Sequence, residues 1–184
     1  MKRIFAVGGT IAVVGVLVSN VLVLQKVSKI EAEVDQVKKD VAEIQKVVLY
    51  KSAERIKVTD KEFECLARNI YYEAGIENRA GKVAVAQVTL NRLKSGRWGN
   101  DICSVVYAKA QFSWTLDKKK RWAKPKGELW NESVKVAHDF VNLGKRVKGL
   151  ENSTHYHADY IPNPFWAKTK TVALKVGQHI FYKT

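Results

Sequence analysis

The run Val83-Ala-Val-Ala-Gln-Val-Thr-Leu90 is apolar on nearly every side. A helix without a polar face has to be wrapped by other elements, so this run predicts a buried central helix. It spans about Asn78 to Leu93, and Gly96 is its stop. Other segments offer the apolar faces it needs. Thr59 and Glu62 fit a capping box, and Phe63, Leu66, Ala67, Ile70, Tyr71 and Ala74 then recur at helical spacing up to Gly75. From Leu129 to Leu143, Val134, Ala137 and Val141 share one face, with Gly144 as the stop. Residues 96–128 read mostly as loop, with a short helix around Ile102 to Tyr107. Past Pro162, Asn163 and Pro164, the alternation of Val172, Leu174 and Val176 and then Gly177-Gln178 before His179 to Tyr182 reads as a small hairpin. The expected fold class is mostly α (α+β), with one globular domain over residues 59–184.

The segment ahead of that domain reads differently. Residues 4–24 carry no charge, and a run of that length crosses a hydrocarbon core of roughly 30 Å as a helix. Lys2 and Arg3 precede it and favour the N-terminus inside. A cleaved signal peptide would have a shorter apolar core and a small-x-small cleavage site. The expectation is a cytoplasmic tail at 1–3 and a single-pass inner-membrane anchor at 4–24. The globular domain would face the periplasm or the outside of the cell. Next, Val23, Val27, Ile30, Val34, Val37, Val41, Ile44 and Val48 alternate steps of four and three. That apolar seam predicts a coiled-coil stalk over 25–50 able to pair into a dimer or trimer. The alternative is an amphipathic helix lying on the domain or the membrane.

The net charge is +14, and residues 51–184 carry 25 Lys/Arg against 13 Asp/Glu. Such an excess points to an anionic partner: nucleic acid, anionic lipid or an acidic wall polymer. An outward-facing domain argues against nucleic acid. Neither cysteine has a partner at Cys-x-x-Cys spacing, which excludes a zinc ribbon or a thioredoxin-type motif. Cys65 and Cys103 would form one disulfide in an oxidising compartment and stay buried thiols in the cytosol.

Glu73 is the prime candidate for chemistry. It lies in the last turn of the 60–74 helix among Ile70, Tyr71, Tyr72 and Ala74. The negative end of a helix and apolar neighbours both disfavour a carboxylate, so both raise its pKa toward that of a general acid. The plainer alternative is a surface Glu near a helix end. Glu77, Asp101 and Asp117 are candidates for a second carboxylate, although Gly75 interrupts the helix between Glu73 and Glu77. The run His155-Tyr156-His157-Ala158-Asp159 could hold zinc, or could line a groove with His155 and His157 on one face of a strand and Tyr156 on the other. Gln111-Phe112-Ser113-Trp114, with Trp98, Trp122, Trp130 and Trp166, supplies aromatic faces and amides suited to amino sugars, unless the Trp are core. Ser113 lacks the Gly-x-Ser-x-Gly elbow of a serine hydrolase. A Cys–His peptidase is conceivable, but Cys65 sits between the apolar positions of its helix.

Several of these segments, in this order, resemble the SleB-type cell-wall hydrolases of spore-cortex lysis and phage lysins. The carriers are Cys65 to Ala74, Val83 to Arg92, Ile102 to Tyr107, Gln111 to Trp114, Thr154 to Asp159 and Gly177 to Tyr182. The resemblance covers about residues 60–184. It implies a domain related to lysozyme and lytic transglycosylases that cuts the bond between N-acetylmuramic acid and N-acetylglucosamine in peptidoglycan. It assigns the catalytic Glu to Glu73, serving first as acid and then as base, with a 1,6-anhydro product and no metal or other cofactor. Tyr72, Gln111, Phe112, Ser113, Trp114, His155, Tyr156 and His157 are then expected to bind the glycan strand. A domain outside the cytoplasm would favour a Cys65–Cys103 disulfide. One departure is Gly75, where many relatives carry Arg. The weakly hydrophobic span also resembles that of signal-anchor-release phage lysins. The competing expectations are a hydrolytic muramidase with a second carboxylate and a non-catalytic, membrane-tethered wall-binding adaptor.

Overall fold

The computed structural model describes residues 23–38, 49–51 and 56–183. The chain divides into two compact units, Met1–Lys46 and Val47–Thr184.

Within the first unit, residues 23–38 form helix α1. Its seam residues Val23, Val27, Ile30, Val34 and Val37 are all exposed. Ion pairs Lys29–Glu33 and Lys38–Asp35 run along its surface. Among the described residues, no helix is long and apolar enough to cross a membrane. No second helix covers the α1 seam among them either. These findings correct the expectation of a membrane-anchored, stalked protein. With the anchor go the membrane as a partner and the inner-membrane location. Apart from Val23 and Leu24, the apolar run 4–24 lies outside the described residues, as do the seam residues Val41, Ile44 and Val48.

The second unit is built around the buried helix that the sequence demands. Its helices are α2 (Asp60–Ala74), α3 (Arg79–Ser95), α4 (Ile102–Tyr107), α5 (Lys118–Trp122) and α6 (Glu128–Asn142). Its strands are β1 (Leu49–Lys51), β2 (Lys145–Val147), β3 (Ser153–Ala158), β4 (Thr171–Val176) and β5 (His179–Lys183). Short 3-10 turns cover Ser113–Leu116 and Phe165–Thr169.

Helix α3 is buried continuously from Gly81 to Arg92. Asn78 caps its start by accepting from the Gly81 amide at 2.9 Å. Gly96 ends it in the left-handed region that glycine tolerates (φ +68°). Helices α2 and α6 pack on it through Leu66, Ile70, Val83, Val88, Val136 and Phe140, all within one core that Phe181 of β5 joins. The few polar residues of α3 each bind a neighbour, as burial requires. Gln87 accepts the Val147 amide at 2.8 Å, and Asn91 donates to the Leu150 and Ser153 carbonyls. These bonds dock β2 and β3 on the helix.

The Thr59–Glu62 capping box forms at the start of α2. Glu62 also accepts the Ile102 amide of α4 at 3.3 Å. A disulfide joins Cys65 of α2 to Cys103 of α4, with Cα atoms 5.3 Å apart.

The domain is mixed α and β, which corrects the mostly α expectation. The C-terminal part is a three-stranded antiparallel sheet in the order β3-β5-β4, and β1 pairs with β2. Only the β4–β5 hairpin had a readable alternation. Strand β3, Ser-Thr-His-Tyr-His-Ala, is polar and aromatic throughout, so it carries no period-2 apolar signal. Strand β2 spans just Lys145–Val147, too short to show a period.

Candidate active site

Helix α2 delivers Glu73 in its last turn, and strand β3 delivers Tyr156 to meet it. The Tyr156 hydroxyl donates to Glu73 Oε2 at 2.8 Å. The Glu73 carboxyl is half-buried, and its pKa lies above the ordinary carboxylate range. Burial is the main cause; the Tyr156 hydrogen bond and the charges of Arg92 and Lys120 pull the other way. Position at a helix C-terminus adds to the upward push. Burial and the neighbouring Glu73 charge drive the Tyr156 phenol well above its usual value, so it stays a donor.

Arg92 reaches this centre from α3. It is a buried cation, and its Nε donates to the Thr154 carbonyl at 2.8 Å. Its guanidinium stacks 4.7 Å from the Phe112 ring and 5.6 Å from Trp98. Sequence reasoning quoted Arg92 in a motif but gave it no role at the site. The available signal was a charge at the end of a run that is otherwise buried on all sides.

Behind Tyr156 stands a second buried carboxylate. Glu77 does not face Glu73 across a cleft. It accepts the Gln178 amide at 3.3 Å on both oxygens and lies 3.7 Å from His179 Nδ1. A side chain at Gly177, which has φ +57°, would collide with the Glu77 carboxylate. Glu77 therefore fixes the β4–β5 turn, and His179 in turn packs edge-on against Tyr156 with ring centroids 5.1 Å apart. The two other carboxylates considered from sequence are caps. Asp101 accepts the Ser104 amide at 2.8 Å, and Asp117 accepts the Lys119 amide at 2.8 Å.

The remaining candidates spread over several environments. Tyr72 stacks on Trp114 at 4.5 Å and donates to the Lys120 carbonyl at 3.0 Å. Trp114 and Phe112 are buried, and the Trp114 indole donates to Asn69 at 3.0 Å. Phe112 and Trp114 pack inward, while Tyr72 is half-buried. Ser113 is exposed and Gln111 half-buried. His155 lies between Trp98 and Trp166, bonded through Nδ1 to the Thr154 hydroxyl at 2.8 Å. Burial, aided by Lys170 and Arg92, lowers its pKa to about 4. His157 is buried and commits its ring nitrogens to the Ala158 carbonyl and the Tyr182 hydroxyl, each at 2.8 Å. Alternation along β3 sends the two histidines to the face opposite Tyr156. Among the described residues there is no group of three or more His, Cys, Asp or Glu able to hold a metal ion. At Gly75 a side chain on this backbone would collide with the Tyr71 carbonyl oxygen.

Comparison with known proteins places this geometry in a family. The family model described as Cell Wall Hydrolase matches residues 76–182, starting just after the helix that carries Glu73. The chain is 29% identical over 129 residues to a spore cortex-lytic enzyme of Bacillus cereus, covering 68% of this chain and 45% of that protein. It is 27% identical over 128 residues to a spore cortex-lytic enzyme of Oceanobacillus iheyensis, covering 68% and 42%. It thus spans less than half the length of these curated relatives. In fold it is similar to the catalytic domain of the germination-specific lytic transglycosylase SleB from Bacillus anthracis. The TM-score is 0.55 at 23% identity, over 71% of this chain and all of that domain. The catalytic domain of the Bacillus cereus SleB protein gives a TM-score of 0.52 at 23% identity, over 72% of this chain and 98% of that one. The motif resemblance, the matched family model and the shared fold agree: the chain belongs to the SleB-type cell wall hydrolase family.

Proposed function

We propose that the domain over residues 59–184 cleaves the glycosidic bond between N-acetylmuramic acid and N-acetylglucosamine in peptidoglycan, with Glu73 as the sole acid and base. The observation that carries this reading is one carboxyl held above its ordinary pKa by burial while a tyrosine hydroxyl fixes its orientation. A protonated Glu73 gives its proton to the bridging oxygen as the bond to the muramic C1 breaks. The resulting carboxylate lies near the charge of Arg92 and accepts from Tyr156, which suits it to stand beside an oxocarbenium-like centre. It then takes the proton of the muramoyl C6 hydroxyl as that oxygen bonds to C1. The ring closes as a 1,6-anhydro sugar, no water is consumed, and Glu73 ends protonated as it began.

This scheme needs one carboxylate. Glu77, Asp101 and Asp117 are each engaged in holding a turn or a helix start. Ser113 and Gln111, which adjoin Arg92 through the Gln111 carbonyl, are the glycan contacts this reading favours within the Gln111–Trp114 run.

Glu73→Gln keeps the shape and removes the proton. Turnover on purified peptidoglycan should fall by about 10²- to 10⁴-fold while sedimentation with the insoluble wall is retained. Equal turnover by both proteins would remove Glu73 from the mechanism. Binding without cleavage by either protein would favour the adaptor reading.

A further inference from the structure

Glu77 is a buried carboxylate for which two glycines make room. A side chain at Gly81, inside α3, would lie 2.9 Å from the Glu77 Cβ and 3.0 Å from its Oε2. A side chain at Gly177, in the β4–β5 turn, would collide with the same carboxylate. Glycine inside a helix weakens it relative to alanine, and the space it leaves here is filled by Glu77. The carboxylate is therefore wedged between the start of α3 and the β4–β5 turn.

The backbone of Glu77 is fixed as firmly. Its amide donates to the Ala74 carbonyl at 3.0 Å, one residue past Glu73. Its carbonyl accepts from the buried Lys82 Nζ at 2.6 Å. Its side chain accepts the Gln178 amide. One residue thus ties the end of α2 to α3 and to the turn that leads into β5.

His179 continues the chain of contacts. It is buried, and its Nδ1 makes no hydrogen bond with a described residue but lies 3.7 Å from Glu77 Oε1. Its ring meets the Tyr156 ring at 5.1 Å and 89°. Tyr156 lies opposite Phe181 in the β3–β5 ladder, with ring centroids 5.3 Å apart. His179 is the diagonal neighbour on the same face. Burial pushes the His179 pKa below its usual value, with Glu77 and Asp159 opposing and His157 adding, so near neutral pH the ring acts as packing rather than as a cation. The contacts close into a ring: the end of α2, Glu77, His179, Tyr156 and back to Glu73 through the 2.8 Å hydrogen bond.

We propose that Glu77 is a positioning residue for the reaction at Glu73: it locks the β4–β5 turn to the end of α2 and, through His179, holds the Tyr156 hydroxyl on the Glu73 carboxyl. The proposal rests on the glycan-cleaving reading above. The charges that bear on Glu73 are those of Arg92 and Lys120. Glu77 reaches it through contacts.

The test uses the full-length protein and reads two quantities, turnover of peptidoglycan and the titration of the Glu73 carboxyl by carbon NMR. Glu77→Ala should lower kcat by about ten- to a hundredfold at unchanged KM. It should also raise the Glu73 pKa, because a loosened Tyr156 hydroxyl no longer favours the carboxylate. Glu77→Gln keeps an oxygen for the Gln178 amide and should recover most of both losses. His179→Ala leaves the Gln178 bond in place and should move the Glu73 titration in the same direction, so it carries the test if Glu77→Ala fails to fold. In a Tyr156→Phe background, adding either alanine should move the titration no further. A Glu73 titration that stays at the wild-type position in the folded alanine variants would overturn the proposal, as would a further shift in the Tyr156→Phe background. A fall in the Glu73 pKa shared by Glu77→Ala and Glu77→Gln would overturn it too, since it would mean bare charge acting across space. A wild type that cleaves no peptidoglycan, yet whose Glu73 titration follows these variants, would count against the glycan-cleaving reading and support the positioning of Glu73 by Glu77.

Discussion

The burial that suits Glu73 to the proposed role of acid works against the stability of the fold. Its folded pKa is raised by burial, so the folded chain holds this proton more tightly than the unfolded chain does. The stability contributed by the protonated form is present below the ordinary carboxylate pKa. It is lost as pH rises from there through the raised folded value. Glu73→Gln carries no charge at any pH. It should therefore melt at a higher temperature than wild type near neutral pH, with the two curves converging in acid, as thermal melts across a pH series would show. A variant less stable than wild type at neutral pH would contradict the burial argument. Tyr156→Phe removes the one donor that favours the Glu73 carboxylate, so the Glu73 pKa should climb further. The alkaline limb of the rate profile should move to higher pH, with a loss of about tenfold or less at the optimum. A fall in rate without movement of that limb would assign Tyr156 to sugar binding alone. Glu73 was legible in the sequence because a helical period and a glycine stop fixed its turn. Tyr156 was expected only as a glycan contact through the family resemblance, and its bond to Glu73 depends on the register of β3, where an irregularity falls between Ser153 and His155.

At the scale of elements, the helices could be read and the sheet only in part. Caps and apolar spacing marked α2, α3 and α6 because each has a face or a whole surface to bury. The β3 side chains instead bond one another and the site, so polar residues fill positions where a period-2 pattern would normally show. The loop after α4 hid α5, which has no buried residue and is held from outside by Arg68. The disulfide belongs to this scale as well. It closes a separation of 38 residues between α2 and α4. By loop-closure entropy such a bridge contributes about 4 kcal/mol, and measured bridges commonly deliver about 2–4. Cys103→Ser should cost stability in that range in denaturant unfolding, with the rate on peptidoglycan retained below the melting transition. A loss of activity in a still-folded variant would instead tie α4 to the placement of Glu73.

For the whole molecule, pattern marked out the stretch that the family model matches, and composition showed its positive charge. The N-terminal segment is where expectation and structure part. Apolar length and a heptad seam are properties of one chain alone, and a helix with an exposed seam satisfies the same pattern. The domain shares the fold of the SleB catalytic domains at low identity, with Glu73 at the end of one helix and Glu77, a buried carboxylate, holding the β4–β5 turn. That allocation of carboxylates separates ring closure from hydrolysis in the proposed mechanism. The direct measurement digests purified peptidoglycan with the full-length protein and reads the released muropeptides by mass spectrometry, with Glu73→Gln as the control. Products about one water lighter than hydrolysis products, and absent with the variant, are the predicted result. Products of full hydrolytic mass with a reducing muramic end would contradict it, and would require a second group to activate water.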